Sequence, residues 1–108
     1  MITAKEAGKK SNNAIKQREA EMQKLIEQCI PTIEAAINNA AENGLISLDI
    51  EHYKFPIALS LELIHSLCDM LRHNGYVVSV CPIQEIITIS WHKEIQIYTK
   101  RLYDFNFQ

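Results

Sequence analysis

The chain has 108 residues, three cysteines and a formal net charge of −2. At 47% hydrophobic and 22% charged, its composition is that of an ordinary globular protein, which excludes disorder throughout. No apolar run approaches the ~18 residues of a membrane span, and the N-terminus lacks a signal-peptide core, so one soluble, non-exported domain covering 1–108 is expected.

The first predicted element is a long amphipathic helix from Thr3 to Asn43. Thr3-Ala4-Lys5-Glu6 fits a capping box, and Asn43-Gly44 fits a C-terminal stop. Ile15, Met22, Leu25, Ile26, Cys29, Ile33, Ala36, Ile37 and Ala40 recur at three- and four-residue steps, which makes one apolar stripe. An unbroken helix of this length would run ~60 Å, too long to bury its whole stripe against the rest of so small a chain. The stripe therefore predicts helix-to-helix contact, within or between subunits, through Met22, Leu25, Ile26, Ile33 and Ile37. Gly8, Ser11, Asn12 and Asn13 have modest helix preference, so residues 1–14 read as a weakly ordered start. Pro31 interrupts the ladder, and the smooth apolar phase across it favours a kink over a break.

Ile46, Leu48 and Ile50 alternate with Ser47, Asp49 and Glu51, the period of a half-buried strand. A connection over residues 52–56 leads to a second helix that starts near Ala58 or Ser60 and ends at His73. Leu63, Ile64, Leu67, Cys68 and Leu71 form its buried stripe, and Asn74-Gly75 stops it. Residues 76–80 and 86–91 read as two antiparallel strands by composition. In the extension over 92–108, Ile95 and Ile97 suit a strand, whereas Ile95, Tyr98 and Leu102 suit a helix. The predicted class is α+β: two helices packed on a small, mainly antiparallel sheet of about three strands, in the order α-β-α-β-β-tail.

Few residue patterns carry chemistry. His65 and Cys68 share a helix face, but without a paired Cys-x-x-Cys knuckle they make a poor zinc site even with Cys29, Cys81 or His92 added. Cys81 and His92 each follow a strand end, and a nucleophile–base pair from them lacks an orienting third group. Asp49 and Glu51 are explained as the polar face of a strand. The three glycines are scattered, which disfavours a phosphate loop. No catalytic residue, metal or cofactor is therefore expected, and the protein is read as non-enzymatic.

Charge is uneven along the chain. Residues 1–18 carry five basic side chains and one acid, whereas residues 19–62 carry two basic side chains and eight acids. The basic start has no interleaved aromatic residue and the net charge is negative, so nucleic acid is a poor partner. The tail aromatics Tyr98, Phe105 and Phe107 are candidate interface anchors.

Four phrases stand together: Ile2-Thr3-Ala4-Lys5-Glu6-Ala7, Ala40-Ala41-Glu42-Asn43-Gly44, Asn74-Gly75-Tyr76-Val77-Val78 and Ile87-Thr88-Ile89-Ser90-Trp91. In these the chain resembles a group of small tailed-bacteriophage proteins of unassigned activity. The resemblance spans most of residues 2–91, and the tail after Trp91 departs from it by its length. It implies a viral protein acting in the host bacterial cytoplasm or incorporated in the virion. The expected function is self-association and protein–protein contact, as an assembly component or a host-directed adaptor. The alternative is a counter-defence protein that holds a small nucleotide-like ligand at a subunit interface, through Tyr76, Trp91, His92, Lys93 and Arg101.

Overall fold

The computed structural model describes residues 1–92. Helix α1 covers Ala4–Glu42, strand β1 Ser47–Glu51, helix α2 Leu61–His73, β2 Val77–Cys81 and β3 Ile86–Ser90, with a short 3-10 turn at His52–Lys54 after β1. The α+β class and the element order match the expectation. The expected helix or strand over 93–103 lies outside the described residues.

Both helices begin and end where their capping chemistry dictates. The Thr3 hydroxyl accepts from the Glu6 amide at 3.2 Å, and the Ser60 hydroxyl accepts from the Leu63 amide at 3.1 Å. At the far ends, Gly44 and Gly75 adopt φ of 78° and 92°, which a side chain would disfavour. The reversal lets the Leu45 amide donate to the Ala40 carbonyl and the Tyr76 amide to the Leu71 carbonyl. Both helices thus end in the same left-handed stop, with their last carbonyls satisfied.

Pro31 lies inside a single continuous helix, so it does not divide α1. It sits on the exposed side, where water reaches the carbonyl its missing amide leaves free. The expected weak start is helical from Ala4 onward.

The sheet order is β1-β3-β2, and both pairings are antiparallel. The register places Ile89 between Leu48 and Val78, and Ile87 between Ile50 and Val80, all on one face. The second half of α1 lies against β1 and α2 against β2, so two helices cover that face in one layer. The core between them is centred on Cys29, Leu63, Leu67, Ile87 and Ile89, all essentially inaccessible. On the opposite face Thr88 donates to Asp49 at 2.7 Å, which confirms the polar alternation read for β1.

Candidate interaction surface

Among the described residues the first half of α1 buries no side chain, and only Ile15, Arg18 and Glu19 border a cavity shared with α2. Every residue from 1 to 21 is exposed, and the first buried position in the helix is Cys29. About 27 Å of helix, residues 4–21, is therefore exposed along its whole length, and its start extends past α2. Ile15, on the line that the core stripe would follow, is half exposed at 51%. Five of the six charged side chains over residues 1–18 are basic, so the arm is a cationic rod.

From Met22 onward the stripe is occupied inside the subunit. Ile33 is buried at 3%, which leaves it no surface for a partner. Met22, Leu25, Ile26 and Ile37 are half-buried against the same core. The five stripe residues expected at an interface thus hold α1 onto its own sheet and α2, because the helix finds apolar cover there first. Of the other interface candidates, Tyr98, Phe105 and Phe107 lie outside the described residues.

The seam between α1 and α2 forms a groove holding two separate open cavities. Near its start Met22 and Ile26 face Glu62 and Ser66 across an open volume of about 520 Å³. Further along, Ile30, Glu34 and Ile37 face Met70 and Asn74 across about 270 Å³. These pairings show that α2 runs beside α1 in the same direction. The floor of the groove is apolar, and Glu19, Glu34 and Glu62 stand along it together with Arg18.

The ligand candidates divide. Tyr76 and Trp91 come together edge to face, with ring centroids 6.2 Å apart. With Ile37, Ala41, Asn74 and Gly75 they line an open cleft of about 370 Å³. Its described lining carries no charged side chain. His92 is half-buried, and its Nδ1 lies 2.6 Å from the Ser90 hydroxyl. Lys93 and Arg101 lie outside the described residues.

The thiols are placed by packing. Burial pushes the Cys29 thiol up from its ordinary value. Burial also pushes Cys68 up, against a smaller opposing pull from Arg72. Both are therefore held as neutral thiols, poor metal ligands and poor nucleophiles. His65 and Cys68 share a shallow surface with Asp69, Arg72 and Val80, and among the described residues no three His, Cys, Asp or Glu side chains converge. Cys81 and His92 do not approach, so the nucleophile–base pair set aside from sequence is not assembled either. In the antiparallel hairpin Cys81 pairs with Ile86, at the turn end, while His92 follows Ser90 at the opposite end.

Several features of this surface were not singled out from sequence. Ile30 and Met70 line the groove from two helices, and only their juxtaposition reveals it. Leu61 and Tyr53 are large and exposed, at 72% and 75%. Among the described residues no helix is long and apolar enough to cross a membrane. No protein family, no curated protein and no solved structure matches this chain.

Proposed function

We propose that this is a non-enzymatic phage protein that acts by self-association, with the projecting half of α1 as its contact element. The observation that carries the reading is the uninterrupted exposure of residues 1–21 in a helix that continues into the core. An isolated helix of that length, with Gly8, Ser11, Asn12 and Asn13 inside it, is marginal in water, so a partner surface is what would stabilise it. The phage setting rests on the four sequence phrases. It supports a role in assembly or as a host-directed adaptor, in the host cytoplasm or within the virion.

The test is sedimentation velocity over a range of concentrations, on the wild type and on Ala14→Pro. A proline at 14 breaks the arm where all neighbours are exposed, so the core keeps its packing. The reading predicts a concentration-dependent oligomer for the wild type and a shift toward monomer for the variant. A wild type that stays monomeric throughout would sink it.

One observation favours a second reading, a small aromatic ligand bound as the nucleotide-like alternative requires. The Tyr76–Trp91 pair presents two aromatic rings at the mouth of a cleft, which suits stacking with a base-sized group. Purified protein that shows no thermal shift across a nucleotide panel would remove this reading.

A further inference from the structure

Helix α1 carries a charge pattern that is complementary to itself when reversed. Lys9 and Glu27 are eighteen residues apart, and so are Lys16 and Glu34, a spacing of about five whole turns. Lys9 and Lys16 are separated by seven residues, as are Glu27 and Glu34. The four side chains therefore stand in one row along one flank, two cations in the projecting half and two anions in the half that rests on the core. All four are exposed. Among the described residues, neither lysine is in an intramolecular ion pair.

We infer that two copies of this chain pair their α1 helices antiparallel, with Lys16 of each opposite Glu27 of the other and Lys9 opposite Glu34. A single two-fold axis, crossing the helices between Glu21 and Met22, brings both pairs into register at once. This is the self-complementary arrangement that a symmetric dimer requires, since each pair occurs twice. The inference rests on the self-association proposed above and specifies its partner, direction and register.

The surroundings of Glu34 fit the arm of a second copy, while Glu27 is exposed and accepts only from Gln23 Nε2 of its own helix at 3.4 Å. Glu34 stands on the rim of the groove between α1 and α2, with Ile30, Ile37 and Met70 beside it. Toward the groove's other end Glu19 and Glu62 stand with the basic Arg18, so the acidic rim is centred on Glu34. A cationic helix laid along it gains apolar cover from the floor and opposite charge from the rim. The antiparallel direction also sets each helix N-terminus beside the partner's C-terminal half, the favourable arrangement of the helix dipoles. The ion pairs are at the surface, so they set register and salt sensitivity, while the apolar floor supplies the driving force.

Geometry within one chain makes the test decisive. Lys9 and Glu34 are about 38 Å apart along their own helix, and Lys16 and Glu27 about 17 Å. A zero-length carbodiimide cross-link between either pair must therefore join two molecules. The inference predicts Lys9–Glu34 and Lys16–Glu27 cross-linked peptides in the dimer band. Charge reversal supplies the independent arm. Lys9→Glu/Lys16→Glu and Glu27→Lys/Glu34→Lys should each weaken self-association by about tenfold or more, and an equimolar mixture of the two should form a heterodimer. A dimer whose cross-links lie elsewhere, or whose variants associate normally, overturns the inference and leaves self-association standing. A wild-type monomer overturns both and passes the groove to a basic helix of another protein.

Discussion

Cys29 has no accessible surface although it sits on the helix that projects furthest from the core. Its place on the stripe was legible from three- and four-residue spacing alone, because a small soft side chain suits a tight helix–sheet contact. Its protonation was not, since that depends on what closes over it. Burial raises the thiol pKa in the folded state above the ordinary value of 9.0. The folded protein thus holds its proton more tightly than the unfolded chain. That contribution is fully present below about pH 9 and is lost as pH rises through the raised folded value. Cys29→Ala removes it along with some packing. The stability gap between wild type and Cys29→Ala should therefore be constant from pH 7 to 8 and narrow above pH 9, measured by urea unfolding. A gap that widens with pH would show the thiol to be ionised in the fold.

At the scale of elements, capping with helical periodicity, alternation in β1 and composition in β2 and β3 located five of the six described elements. Thr3, Ser60, Gly44 and Gly75 mark helix ends by local chemistry that needs no tertiary information. The missed element is the turn at His52–Lys54, which has no periodicity to betray it and is held by the Phe55 amide bonding back to His52. Strand order was also beyond local reading, because β3 becomes central only through its long-range pairing with β1. Pro31 shows the opposite case, a local signal that the fold tolerates. The long stripe on either side keeps the helix continuous, and the proline ring points to solvent. Pro31→Ala restores an amide donor for the Glu27 carbonyl and should stabilise the protein by roughly 1–3 kcal/mol. The readout is the urea midpoint. A loss of stability would mean that the proline itself helps to fit α1 onto the sheet.

At the scale of the whole molecule, the length of α1 against the size of the remaining chain carries the functional argument. The sequence makes it legible that so long a stripe exceeds its own cover, but not which part goes uncovered. Met22, Leu25, Ile26, Ile33 and Ile37 are the strongest apolar residues, so they are the ones the core takes. What is left uncovered is the polar, basic portion, whose charges set register while apolar cover must come from the surface it meets. The groove beside α2 shows the same limit, since Ile30 and Met70 lie forty residues apart in the chain.

The central claim is that residues 4–21 form a contact element covered by a second copy. Amide hydrogen exchange across that segment, at high and low protein concentration, tests it most directly. An uncovered arm of this composition frays and exchanges quickly, whereas a paired one is protected to the extent that the assembly is populated. The account predicts clear protection of residues 4–21 at high concentration that falls on dilution, while α2 and β3 stay protected throughout. Rapid exchange of the arm at every concentration, beside a fully protected core, would contradict it.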